Sequence, residues 1–211
     1  MPQCDAPSRM PLGDVLDVLN DVRGDAVVVT SMGSAREWTR RFEPHPLDFV
    51  HVPSSMGQTP AIGLGIALAQ PSRQVIACVG DGSLLMNLGC LATIAAAGPE
   101  NLVLLVFQND AYEVTGGQPT PVAESVPQFD FAKVAIAAGF REVQTLGRLV
   151  DWRARAAELI SGSRPVCLVL HVTADTDAGP VDPLPSARER AGAFSAALQD
   201  SHPISPAQPK N

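Results

Sequence analysis

Six short strand-like runs recur along the chain, at positions 26–30, 49–52, 74–79, 102–107, 142–145 and 166–172. Their Val, Ile and Leu content lacks the clean apolar–polar alternation of a half-exposed strand, so both faces of such strands must be covered. The cover lies in the helical patterns between them, at 12–22, 34–41, 59–69, 84–97, 131–138 and 149–160. Segment 84–97 is apolar on nearly every side and is expected to form a single, deeply buried helix. Repetition of strand and helix implies crossover units and a mostly parallel sheet. The expected fold is therefore α/β, a three-layer sandwich with helices on both faces of the sheet. Ligands of such sheets sit beyond the carboxyl ends of the strands.

With 211 residues, the chain has the size of one domain, expected over 1–200, and its last residues, 201–211, are expected to be disordered. One more helix is expected at 186–198. Apolar residues make up 45% and charged residues 18%, a globular composition. The formal net charge of −7 argues against nonspecific binding to nucleic acid or to an anionic membrane. No run approaches the roughly 18 apolar residues of a membrane span. The amino terminus lacks a signal-peptide pattern, so a cytoplasmic location is expected. Cys4, Cys78, Cys90 and Cys167 form no C-x-x-C pair, which speaks against structural zinc and for inert buried thiols.

The candidate site begins where Gly80-Asp81-Gly82-Ser83 follows the run 74–79 directly. Glycines at a strand-to-helix turn let the backbone approach a ligand closely, and the helix start offers free N–H groups to a phosphate. A carboxylate beside a phosphate calls for a bridging cation, magnesium by preference. An ordinary turn with Asp81 or Ser83 as N-cap explains the same four residues equally well. Asn109 ends the next strand, at an offset of 28 residues from Asp81. If the two strands are parallel neighbours, Asp81 and Asn109 can share one cation within an oxygen shell. Two further features are weaker. Gly63-x-Gly65 lies inside a helix, where glycine permits close packing better than it marks a dinucleotide site. His51 could carry a proton or merely end a strand.

G-D-G-S, a helix, a strand and then Gln108-Asn109-Asp110 resemble the diphosphate-binding domain of thiamine-diphosphate enzymes. In that family an Asn–Asn pair is usual, and Gln108 departs from it. The resemblance implies thiamine diphosphate and Mg2+ as cofactors, with the metal held by the side chains of Asp81 and Asn109 and the carbonyl of Ala111. It implies that Gly80, Gly82 and Ser83 lie against the diphosphate. Met56, in Ser54-Ser55-Met56-Gly57, stands 25 residues before Asp81 and matches the apolar wedge that bends the cofactor. The carbonyl of Ser54 would then accept from the cofactor's amine, with Ser55, Thr30 and Ser31 at the same sheet edge. Tyr112 and Glu113 complete the expected cofactor contacts, and Met56, Tyr112 and Gln118 are the catalytic candidates.

Residues 111–121 read AYEVTGGQPTP and resemble the corresponding segment of phosphonopyruvate and sulfopyruvate decarboxylases. Thr115, Gly116 and Gly117 share the candidacy of Gln118, whereas Thr120 and Pro121 read as turn chemistry. The resemblance spans about residues 25–171. It implies decarboxylation of a small anionic 2-oxoacid to the aldehyde and CO2. It also implies a partner: these enzymes place an activating glutamate on a pyrimidine-binding domain that no segment here resembles. The chain is thus expected to act as a β subunit, with an α subunit supplying that glutamate, and to self-associate. An acetolactate-synthase-like carboligase or lyase subunit, and a noncatalytic cofactor-binding module, are the rival readings.

Overall fold

The computed structural model describes residues 8–30, 32–50, 56–123, 129–162, 165–173 and 184–200. Nine strands and eight helices occur among them, starting with β1 (Met10–Pro11), α1 (Leu12–Val22), β2 (Val27–Thr30), α2 (Met32–Arg41), β3 (Asp48–Val50) and α3 (Thr59–Ala69). There follow β4 (Val75–Gly80), α4 (Asp81–Leu85), α5 (Cys90–Ala97), β5 (Leu102–Gln108), β6 (Ala111–Tyr112) and β7 (Gln118–Pro119). The chain continues with α6 (Phe131–Ala138), β8 (Glu142–Leu146), α7 (Leu149–Ile160), β9 (Val166–Thr173) and α8 (Ala187–Asp200).

Seven strands form one sheet in the order β1-β9-β5-β4-β2-β3, with β8 also pairing to β9, and every pairing in it is parallel. β6 and β7 form a separate antiparallel hairpin. The central strands explain their own composition. From Val75 to Val79 and from Leu102 to Phe107 no residue is more than 3% exposed. Removing each such aliphatic side chain from water contributes about 1.5–3 kcal/mol. Successive residues feed opposite sides of the sheet. Ile76, Val103, Leu105 and Leu168 pack with α1, with α7 through Trp152, and with α2 through Trp38. Ala77, Val79, Leu104 and Val106 pack with α3, α5 and α6, and with Phe194 of α8. This is the expected three-layer α/β sandwich. Gly63 lets α3 lie close to the sheet, since a Cβ there would come within 2.8 Å of the Ala77 Cβ; Gly65 faces no such neighbour.

One expected element divides. Segment 84–97 is not a single buried helix: α4 starts earlier, at Asp81, and a tight turn separates it from α5. Bonds between residues three apart, such as Asn87 N–H to Leu84 O at 3.0 Å, replace the helical pattern. Asn87 and Gly89 favour this, because asparagine side chains compete for backbone groups and glycine weakens a helix interior. The segment is also less buried than its apolar composition suggests, with Met86 51% exposed.

Cys78, Cys90 and Cys167 are free and buried, and burial pushes their thiols up, to about 11 for Cys90 and about 12 for Cys167. Among the described residues, no helix is long and apolar enough to cross a membrane.

Candidate functional site

β4 runs without a loop into α4, so the G-D-G-S residues are the end of a strand and the first turn of a helix. Gly80 pairs with Phe107 in the β4–β5 register, which sets the carboxyl ends of these strands side by side. Asp81 emerges there and is 1% exposed. Its Oδ1 accepts the Gly82 N–H at 2.8 Å and its Oδ2 accepts the Asp110 N–H at 2.7 Å. Burial pushes its carboxyl up to about 6, against the pull of these backbone donors. Among the described residues, no cationic side chain bonds to it.

Asn109 ends on the same edge. Its Oδ1 accepts the Ala111 N–H at 2.9 Å, and its Nδ2 donates to Glu113 Oε2 at 3.2 Å. Glu113 also pairs with Arg36 on α2 at 3.3 Å. The β6–β7 hairpin then folds back over α4, and the Tyr112 ring lies against Gly82. A Cβ on Gly82 would come within 2.7 and 2.8 Å of two Tyr112 ring carbons. Thr120 closes the hairpin and is 3% exposed, with its N–H donating to Asp110 O at 2.9 Å. Its carbonyl accepts the Ala123 N–H at 3.0 Å across Pro121, which is the turn expected there.

The Met56-Gly57 segment is fastened to α4. Gly57 has φ +76°, a conformation glycine adopts freely, and a Cβ there would meet the Asn87 Cβ at 3.0 Å. The Gly57 N–H donates to Ser83 Oγ at 2.9 Å, and its carbonyl accepts from Asn87 Nδ2 at 3.1 Å. Asn87 therefore has a reason to leave the helix. Met56, 45% exposed, forms a wall of the cleft this creates.

The cleft is open on one side and spans about 650 Å³, solvent at its mouth included. Of the candidates from the sequence, Met56, Gly80, Asp81, Gly82, Ser83, Asn109, Ala111, Tyr112, Glu113 and Thr115 line it. Ser31, Ser54, Ser55 and His51 lie outside the described residues. Thr30 ends β2 fully buried, its hydroxyl without a hydrogen-bond partner, and is not a lining residue. Gln118 is exposed on the hairpin, bonded to Thr115, and does not reach the cleft. Leu12, Gly33, Ser34, Met86, Phe107, Val114 and Val172 line it without having been singled out. Phe107 and Val172 were within reach of the rule that ligands lie at strand carboxyl ends. Met86 carried no such signal, because its segment read as buried helix. Two histidines gain neighbours: His45 Nδ1 accepts the Leu47 N–H at 3.2 Å, and half-buried His171 is held below its ordinary value by burial and by Arg9.

Among the described residues, no three His, Cys, Asp or Glu side chains cluster as a metal site. The donors expected to hold a metal are the Asp81 carboxylate, the Asn109 amide oxygen and the Ala111 main-chain carbonyl; the second cleft carboxylate, Glu113, is engaged by Asn109 and Arg36. All are hard oxygens, which suits Mg2+ better than a transition metal. A divalent cation would also provide the counter-charge that buried Asp81 lacks. The residues present thus fit a magnesium-bridged diphosphate.

The sequence and fold were compared with known proteins. A family model described as "Thiamine pyrophosphate enzyme, C-terminal TPP binding domain" matches residues 31–170. The chain is 35% identical over 167 residues to a phosphonopyruvate decarboxylase of Streptomyces hygroscopicus, covering 79% of this chain and 40% of that protein. It is 35% identical over 131 residues to the sulfopyruvate decarboxylase subunit beta of Methanothermobacter thermautotrophicus, covering 62% and 68%. The chain thus spans about two fifths of the Streptomyces relative. In fold it is similar to a thiamine diphosphate-dependent 4-hydroxybenzoylformate decarboxylase of Rhodococcus jostii, with a TM-score of 0.66 and 20% identity, covering 83% of this chain and 35% of that one.

Proposed function

The chain belongs to the thiamine pyrophosphate enzymes, as their C-terminal type of cofactor-binding domain, and from that premise we propose that it is the diphosphate- and magnesium-binding subunit of a 2-oxoacid decarboxylase. Its substrate is sulfopyruvate or phosphonopyruvate, converted to the aldehyde and CO2. A pyrimidine-binding α subunit supplies the activating glutamate. The observation that carries this reading is Asp81: a buried carboxylate at the junction of two parallel strands, beside Asn109, with backbone donors and no cationic partner among the described residues.

Asp81, Asn109 and the Ala111 carbonyl hold the metal, and Gly82 and Ser83 meet the diphosphate. When bound, the cofactor supplies the electron sink that decarboxylation requires. Met56 presents the apolar surface that props it, and Tyr112, packed on Gly82, closes the site from the hairpin side. Gln118, held outside the cleft, is assigned no step. Met56, Met86 and Val114 are 45%, 51% and 53% exposed on the cleft walls. Such apolar surface at a charged site supports a partner that covers it and excludes water.

The test has two arms. Calorimetry should detect magnesium-dependent binding of thiamine diphosphate by the chain, lost in Asp81→Ala; unchanged affinity in the variant overturns the metal assignment. Turnover of sulfopyruvate, phosphonopyruvate and pyruvate is then measured with and without the protein encoded beside this chain. Aldehyde and CO2 should form only with the partner. Full turnover by the isolated chain overturns the subunit reading, and carboligation of pyruvate overturns the substrate assignment.

A further inference from the structure

Arg9 precedes β1, 99 residues before Gln108 in sequence, yet its guanidinium reaches three acceptors at the carboxyl end of the sheet. Nη1 donates to the carbonyls of Gln108 at 3.3 Å and Val172 at 3.2 Å, and Nη2 pairs with the Asp110 carboxylate. One side chain thereby ties the ends of neighbouring strands β5 and β9 to the turn that carries Asn109. A guanidinium suits this task, because its planar fork offers several donors where a lysine offers a point charge.

Asp110 is the partner of consequence. Among the described residues it alone, glycines aside, has a positive φ, at 62°. Aspartate tolerates this left-handed conformation at some cost, so something must hold it there. Three groups do: the Thr120 N–H, which donates to the Asp110 carbonyl at 2.9 Å, and on the carboxylate Arg9 and Gln108 Nε2, the latter donating to Oδ1 at 2.9 Å. In this conformation the Asp110 N–H points at Asp81 Oδ2 and donates to it at 2.7 Å. The contacts therefore run from Arg9 through Asp110 to Asp81.

We infer that Arg9 is a positioning residue for the metal-binding carboxylate, acting through Asp110 to fix the backbone N–H that orients Asp81 beside Asn109. The inference rests on the reading of Asp81 and Asn109 as metal ligands. Groups standing behind a metal ligand typically control affinity by about 10–100-fold.

The test titrates Mg2+ into the full chain with thiamine diphosphate present, and measures the stability of each ligand-free variant by denaturation. Arg9→Ala and Asp110→Gly should each weaken magnesium about tenfold or more, and Arg9→Lys should recover part of the loss. Asp110→Gly is the sharper variant, since it removes the backbone strain together with the carboxylate. Equal or tighter binding in that variant would mean that the backbone keeps its place without the Arg9–carboxylate tether, and overturns the inference. The double variant should lose no more than the weaker-binding single variant, because both changes cut one tether. Wild-type affinity in Arg9→Ala, whatever its stability, overturns the inference, as do additive losses in the double variant. Asp81→Ala separates the two levels. If it retains magnesium affinity, the metal reading itself falls; if it abolishes affinity while Arg9→Ala does not, only the tether falls.

Discussion

Asp48 and Asp81 are both buried carboxylates on the central sheet, at opposite ends of the strands. Asp48, at the amino end of β3, is fully answered from within the fold. It pairs with Arg23 and accepts the Trp38 Nε1–H at 2.8 Å, and the side chains of Arg23 and Asp48 are only 4% and 6% exposed. Arg23 also lies over the Trp38 ring, at 5.5 Å. Asp81, at the carboxyl end of β4, receives only backbone N–H groups among the described residues. A buried charge that finds its counter-charge inside the chain holds the fold together. One that finds only dipoles keeps a raised pKa and an affinity for a cation from outside.

Asp81→Ala tests the contrast most strongly. Magnesium-dependent cofactor binding should vanish by calorimetry, with the ligand-free chain still folded; a variant that unfolds instead would make Asp81 a structural residue like Asp48. Arg23→Ala should do the reverse. It strands a buried carboxylate and should cost about 3–5 kcal/mol in urea denaturation, while the folded fraction binds magnesium and cofactor with wild-type affinity. Weakened binding there would mean that the two ends are coupled.

The pH dependence of stability offers a third comparison. Asp81 titrates near 6 in the folded chain, above its ordinary value of 3.8. The folded state therefore holds its proton more tightly than the unfolded state does. The resulting stability is present at pH 4 and is lost as pH rises through about 6, a fall of up to about 3 kcal/mol. Thermal melts of the ligand-free chain should follow this trend, and saturating magnesium with cofactor should offset the loss above pH 6. A flat profile from pH 4 to 7, after subtraction of that of Asp81→Asn, would remove the raised carboxyl from the account.

Two glycines give the smallest effects. Gly63→Ala and Gly82→Ala each force a methyl against a near neighbour, at 2.8 Å and 2.7 Å respectively, for about 1–3 kcal/mol of overpacking. Gly63 packs α3 on the sheet, so its variant should lose stability and keep cofactor affinity. Gly82 packs on Tyr112 within the cleft, so its variant should lose affinity. Matching outcomes in the two variants would erase the distinction between packing glycine and site glycine.

Much of the fold was legible in the sequence. Strands such as Val75–Gly80 and Leu102–Gln108 are unbroken apolar runs, because both of their faces are covered. The helix expected over 84–97 misled for a physical reason. Its composition describes residues that are apolar, but Asn87 bonds to Gly57, thirty residues away in sequence, and that contact ends the helix. Asp81 was legible from its glycine turn at a strand end and Asn109 from its place at the end of the next parallel strand, whereas Met56 was read from the family resemblance. Gln118 was read from its segment alone, and the hairpin turns it outward. Arg9 and Asn87 left no local signal, since each acts on a residue remote in sequence.

The sequence by itself determined the layered architecture and the placement of Asp81 and Asn109 at the carboxyl ends of two neighbouring parallel strands. These follow from local pattern: apolar periodicity, a glycine turn at a strand end, and the length of one crossover. The tertiary structure alone decided that Asp81 is buried with no cationic side chain bonded to it among the described residues, that Tyr112 closes on Gly82, and that Arg9 stands behind Asp110. Those depend on which backbone and side-chain atoms from distant segments arrive at one sheet edge, and hydrogen bonds and charge burial are set by atoms within a few ångströms, whatever their distance along the chain.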